Sequence, residues 1–335
     1  MKHIYLICLF LFSIGCEDNI EKNDTNELLI VASEGNFGSS NGSLSVFKGK
    51  EKIQTIDDVG DVVQSITTYK NKLFVVVNNS HLIKVFSITE SGLKLPGIDI
   101  NTNNSSPREL IVHNNKAYFT NYNSQDVKVL DLETYYIEKS IRVNGLPESI
   151  VSDGKHLWVA INMNPDYSSA NSVVKINPEN NQIINTYEVG KGPQQLLIEN
   201  NNLWVSRTFY SDDFTETYFG TSLIDMITDN IKIMNYGTGT VCGGDLMNFD
   251  GIVHRTFEGG VAPLNADLNV NKLGKIGSFK KEELYSANAF EDKVYIGITS
   301  DYMSPDTVFV HDETGEVINT FTVGAAPGDF AIWKE

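Results

Sequence analysis

The chain has 335 residues and carries 43 acidic against 26 basic side chains, a formal charge of −17 at pH 7. No cluster of Lys and Arg stands out. This excludes nucleic acid as a partner, since phosphate binding needs concentrated positive charge, and an anionic membrane surface would repel the body of the protein.

The amino terminus reads as a targeting segment. Lys2 and His3 precede the apolar run "IYLICLFLFSI" (Ile4–Ile14), which is shorter than the ~20 residues a membrane-spanning helix needs and suits the core of a signal peptide. It ends in "SIGC" (Ser13–Cys16), which resembles the lipobox of bacterial lipoproteins, with Ser13 in place of the usual Leu. That resemblance implies cleavage before Cys16 and lipidation of its thiol. An ordinary secretory signal cut near Gly15 is the alternative. The polar run "EDNIEKNDTNE" follows. It has almost nothing to bury and reads as a tether, and an acidic stretch behind a lipidated cysteine resembles the surface-export signal of Bacteroidetes lipoproteins. The organisation expected is a signal peptide over 1–15, a lipidated cysteine and tether over 16–26, and one folded domain over 27–335. Of the three cysteines, Cys8 lies in the signal and Cys16 is the anchor. Cys242 is then left without a disulfide partner and is expected to be a buried packing residue.

The body is repetitive. Similar runs begin near Leu28, Leu73, Ala117, Leu157, Leu203, Ile252 and Val294, about 40 to 49 residues apart, the length of one four-stranded propeller blade. The next residue in each is Leu29, Phe74, Tyr118, Trp158, Trp204, Val253 or Tyr295. A recurring aromatic at that place suits packing between blades. The first repeat lacks its inner strand, and the chain ends with a spare one, "GDFAIW" (Gly328–Trp333). The fold predicted is all-β: a seven-bladed β-propeller, its ring closed by the C-terminal strand joining the first blade.

With strands lettered a to d outward from the axis, the a–b turns are minimal. The b–c connections over 33–42, 162–172, 207–222, 255–267 and 299–307 read as long, so elaboration falls on one face, where function is expected. Candidate ligand-binding residues on these loops are Tyr167, Arg207, Tyr210, Tyr218, Phe257 and Tyr302. His81 lies in a short b–c turn on the same side. Gln64, Arg108, Glu148 and Gln194 begin inner strands at equivalent places and are expected to converge on the axis. Asp212, Asp213 and Glu216 match no known calcium loop. No haem-attachment, nucleophile-elbow, zinc-protease or phosphate-loop pattern occurs, so neither a catalytic set nor a cofactor is expected.

The stretches "EGNFGSSNGSLSVF" (34–47), "DVVQSITTYKNKLFVVVNNSHLIKVF" (61–86) and "KAYFTNYNSQDVKVLDLET" (116–134) resemble the YncE-like propeller lipoproteins of Bacteroidetes. The resemblance covers nearly the whole chain after the tether and is weakest over 207–280. Some members of that group sit on a TonB-dependent outer-membrane transporter and capture corrinoids. It therefore implies a non-enzymatic surface lipoprotein, held to the outer membrane through its lipid alone, that binds a small nutrient, a corrinoid-like ligand first among the guesses, and passes it to such a transporter. A propeller enzyme of lactonase or quinoprotein type and an envelope interaction scaffold are the alternatives.

Overall fold

Each repeat folds as an antiparallel sheet because its short Val-, Ile- and Phe-rich runs are separated by turns rich in Asn, Gly and Lys. The computed structural model describes residues 27–239 and 244–335, so the segments expected to be signal peptide and tether, Cys16 and Cys242 lie outside the described residues. Seven sheets make the ring. Blade 2 is representative, with strands a to d at Val63–Tyr69, Lys72–Val77, Leu82–Thr89 and Gly92–Asn101. Its b strand is buried on both faces after Lys72, whereas outer strands such as Gln182–Glu188 in blade 4 are mostly exposed and polar. Inner strands are covered by the neighbouring blades on either side, and polar outer strands blunt the free sheet edge.

The aromatic register behaves as a packing register. Leu29, Phe74, Tyr118, Trp158, Trp204, Val253 and Tyr295 are all buried. One apolar cluster fills each of the seven interfaces between blades. The smallest lies between blades 5 and 6, where Trp204, Leu223, Leu246, Val253, Leu264 and Leu268 are its buried members.

The ring closes as the sequence implies. Pro327–Lys334 is the inner strand of blade 1 and pairs antiparallel with Glu27–Ser33, with Leu29 opposite Ile332 and Glu27 opposite Lys334. Trp333 seals the joint, its indole N–H donating to the Lys70 carbonyl at 3.1 Å.

Blades 5 and 6 depart from expectation. The segment 207–222 is mostly strand: Asn202–Tyr210 pairs with Thr217–Asp225, and only 211–216 turn the chain. In blade 6 the b–c connection is a tight turn at Glu258 and Gly259, both at positive φ. That blade has three strands, Leu246–Phe249, Ile252–Phe257 and Gly260–Pro263. Its fourth place holds a single bridge from Val261 to Ile276. Pro263 ends the third strand, since it has no N–H to extend the ladder. The long excursion that follows Pro263 therefore lies after strand c, where the sequence reading placed it before.

Candidate functional site

The b–c corners crown one face of the ring. Every corner has one residue other than glycine in the left-handed region: Ser40, His81, Gln125, Tyr167, Phe214, Glu258 and Tyr302. That conformation costs about 1–2 kcal/mol outside glycine; it recurs in the a–b turns of the opposite face, at Lys70, Asn115, Asn201, Asp250 and Glu291, so it belongs to the tight-turn geometry of both faces. Phe37, Tyr167, Phe214 and Met303 stand exposed at the b–c corners. The 34–41 corner is tied to its neighbours. The Gly38 N–H donates to Asp61 Oδ1 at 2.9 Å, and Asn36 Nδ2 donates to the Tyr302 carbonyl.

Below the corners lies the axial mouth, made by the first residues of the inner strands. Arg108 is its centre. Its Nε donates to Glu148 Oε1 at 3.0 Å and Oε2 at 3.1 Å, its Nη2 to Oε1 at 2.5 Å, and its Nη1 to Gln64 Oε1 at 2.6 Å. The guanidinium stacks over the Tyr122 ring at 4.7 Å, and the Tyr122 hydroxyl donates to Glu148 Oε2. Burial opposes charge on Arg108, but Glu148 overrides it, and the pKa stands above the usual arginine range. Burial, then Glu148, pushes the Tyr122 hydroxyl well above 10. Gln194 lies apart from this set, over Gly244, where a Cβ would meet its Oε1 at 2.7 Å. That oxygen is buried and has no hydrogen-bond partner among the described residues. Glu34 reaches in from its corner over Gly328, whose missing side chain leaves the room. Burial raises Glu34 to about 7 against the opposing bond from Tyr285.

A second ring lies one residue further along each inner strand. Asp329 accepts from the Ile66 N–H at 2.8 Å, and Ser65 Oγ donates to the Arg108 carbonyl at 2.8 Å. Glu109 accepts from Ile150 N–H at 3.1 Å, Ser149 from Leu196 N–H at 3.2 Å, and Gln195 from Leu246 N–H. Asp245 accepts from Ala287 N–H at 2.7 Å, and Ser286 Oγ donates to the Pro327 carbonyl at 2.5 Å. Each blade thus holds the next by one side-chain bond around the axis. Burial in this narrow channel pushes the Glu109 carboxyl up to about 8, Asp245 to about 7 and Asp329 to about 6.

Beside the mouth, between blades 5 and 6, a cavity of about 350 Å³ opens on the corner face. Phe219, Tyr236 and Phe257 wall it, with ring centroids 5.4 to 6.3 Å apart. Arg255 lies against this wall, its guanidinium 5.1 Å from both the Phe219 and Tyr236 centroids. Its Nη1 donates to the Gly220 carbonyl at 2.5 Å and Thr221 Oγ1 at 2.6 Å. Arg207 lies on the b strand of blade 5, donating to the Met234 carbonyl at 2.8 Å and to Asn235 Oδ1 at 2.5 Å. Gly220 makes room for it, since a Cβ there would meet Arg207 Nη2 at 2.4 Å. Both guanidinium groups are buried, and neither is ion-paired among the described residues. Burial first, and for Arg207 also the charge of Arg255, lowers each to about 10.

No family model and no curated protein matches this chain. Solved structures do. A hypothetical selenium-binding protein of Sulfolobus tokodaii superposes with a TM-score of 0.69 at 8% identity, covering 93% of this chain and 94% of its own. A proposed 6-phosphogluconolactonase of Bacteroides uniformis gives 0.62 at 13%, covering 92% and 100%. AztD from Citrobacter koseri gives 0.56 at 10%, covering 92% and 98%. At such identities the likeness establishes the propeller fold.

The residues singled out from the sequence fall into three groups. Gln64, Arg108 and Glu148 converge in one network, while Gln194 stands alone. Phe257 lines the cavity, and Arg207 is buried beside it. The remaining residues sit on the rim. Tyr218 stacks on Phe209 at 5.7 Å, Tyr210 packs on Phe214 at 5.8 Å and Tyr302 on Tyr285 at 5.7 Å, while Tyr167 is 64% exposed. His81 is engaged structurally at Nδ1, which accepts from the Ser106 N–H at 3.1 Å. Among the described residues no group of three His, Cys, Asp or Glu side chains is placed to hold a metal ion. Sequence reasoning missed Glu34, Tyr122, Tyr236 and Arg255. For Arg255 a signal was present, an arginine inside the apolar strand "IVHRTF".

Proposed function

We propose that this chain is a non-enzymatic lipoprotein of the outer-membrane surface that captures a small nutrient on its corner face and passes it to a TonB-dependent transporter. The observation carrying the ligand-binding part is the cavity on the elaborated face, beside a polar mouth whose ion pair is held in place by Gln64 and Tyr122. A pocket of this size, with three aromatic rings and several polar and charged groups on its wall, suits a small molecule or one arm of a larger one. The rim of exposed Phe37, Tyr167, Phe214 and Met303 gives a partner something to cover, since interfaces are enriched in aromatic residues and Met. The anchor, the surface location and the transporter rest on the lipobox-like "SIGC", the acidic tether and the likeness to YncE-like lipoproteins.

Corrinoid is the first ligand to test on the strength of that likeness. Calorimetric titration with a cobamide, haem and glycan panel is expected to give micromolar binding by at least one member. No binding across the panel would sink nutrient capture, and a pull-down that retrieves an envelope protein other than a transporter would favour the scaffold instead. The enzyme alternative has in its favour the fold shared with a proposed lactonase. Lactonase activity appearing on addition of calcium would establish it.

A further inference from the structure

We propose that the cavity between blades 5 and 6 is an oxyanion site: it takes a small organic anion, one carboxylate or phosphate on an apolar or ring-shaped body, with the charge held at Arg255. This rests on the reading that the corner face captures a small ligand, and it names the chemical class of that ligand.

The first argument is charge balance. The chain is strongly acidic overall, yet Arg255, Lys272 and Lys281 all line this one cavity. Glu258 is its acidic lining residue, and Lys272 already engages that carboxylate at 3.4 Å. Asp245, the acid that acts on Arg255, is tied to the Ala287 N–H, and burial raises its carboxyl to about 7, so it offsets only part of the arginine's charge at neutral pH. The wall therefore presents net positive charge.

The second argument is desolvation. A buried guanidinium without a counter-ion costs several kcal/mol unless its surroundings compensate. Here the partial compensation comes from the carbonyls of Gly220 and Thr256, the Thr221 hydroxyl and two aromatic faces. All of these are neutral. Arg207, equally buried, adds a second positive charge from the b strand of blade 5, and its Nε is an unpartnered buried donor. A fold that needed only packing here would be better served by an apolar side chain. An entering oxyanion supplies the missing charge, and guanidinium–oxyanion pairs are among the stronger hydrogen-bonded contacts.

The third argument is shape. The three rings of the wall are inclined at 47 to 87° to one another and form a faceted apolar recess, so the ligand's uncharged part is a compact ring or hydrocarbon body. The weak apolar cluster in this interface, together with the incomplete blade 6, leaves the room for it.

The test uses benzoate and phenyl phosphate as probes, with benzamide as the neutral shape control and benzylamine as the cation. Binding to the purified protein is followed by calorimetry at low and high salt. Expected is saturable binding of one or both anions, weakening with salt, and none of benzamide or benzylamine at equal concentration. The benzoate and phenyl phosphate arms separate a carboxylate ligand from a phosphate ligand. Lys281 is exposed at the cavity edge, so Lys281→Glu should leave the melting temperature unchanged while weakening anion binding about tenfold. Glu258→Gln should strengthen it, and Arg255→Gln should abolish it. Equal binding of benzamide and benzoate overturns the anion class but leaves nutrient capture standing. So does an anion affinity indifferent to Lys281→Glu and to salt. No binding of either anion at millimolar concentration also overturns it, whatever the outcome of the nutrient panel.

Discussion

Arg108 and Glu148 test how a polar mouth is held together one residue at a time. The pair is mostly shielded, with 22% and 14% of the two side chains exposed, so removing one partner leaves a charge that water solvates poorly. Glu148→Leu or Arg108→Met should each destabilise the fold by about 2–4 kcal/mol, while the Glu148→Leu, Arg108→Met double variant should cost less than either single one. Chemical denaturation of the four proteins measures the coupling. Additive losses would mean that the pair is solvent-screened and contributes little. Tyr167 makes the opposite test. It is held at φ +65° with its ring in solvent, a conformation that favours glycine. Tyr167→Gly should hold or raise stability by up to about 1 kcal/mol. If it also lowers affinity for whatever the face binds, then strain is being kept there for the side chain.

The seven inner strands share one device, a side chain that bonds the next blade near the axis, and it has a pH signature. In the folded state Glu109, Asp245 and Asp329 have pKa values raised to about 8, 7 and 6, because burial penalises their charge. The native state therefore holds these protons more tightly than the unfolded chain, whose carboxyls titrate near 4. The contribution to stability is fully present below pH 4 and is lost as pH rises through 6 to 8. The melting temperature should consequently fall between pH 5.5 and 8.5. Glu109→Gln keeps an acceptor for the Ile150 N–H but removes the titration. It should flatten that slope and raise the melting temperature at pH 8.5 by about 2–4 °C. An unchanged slope would place the titration elsewhere. These carboxyls were unreadable in the sequence, because Glu109 and Asp329 look like any polar residue alternating along a strand; what singles them out is the ring that places them on the axis. The blade pattern itself was legible because its apolar runs recur with a fixed place for an aromatic residue. It misled where strands carry polar and aromatic residues together, as in "SRTFY" and "HRTF". There the arginines fold inward over aromatic faces, so a segment that scans as loop is strand, and a buried cation scans as an exposed one.

At the scale of the whole molecule, stability depends on a contact between the two ends of the chain. A row of blades with two free edges exposes apolar faces as well as unpaired backbone. Here the last strand removes both problems. Pro327–Lys334 supplies the inner strand of blade 1, and Phe330 and Trp333 fill the interfaces to blades 7 and 2. Asp329 and Trp333 bond the backbone of blade 2 at Ile66 and Lys70. Because contacts between neighbouring blades are otherwise sequential, closure is the long-range step, and its entropy cost is met only when the end strand docks. A chain ending at Ala326 should therefore lose its single sharp melting transition, and its exposed Glu27–Ser33 edge should promote association. A synthetic peptide of residues 327–335 should add back to that edge as a strand and restore the transition in proportion to its concentration. Trp333→Ala in the same peptide should weaken the rescue by about 3–5 kcal/mol, because the side chain is buried at the joint. Calorimetric melting of the truncated chain with and without peptide reads all of this. Intact cooperative melting of the truncated chain alone would show that the blades hold their ring without being joined at the ends.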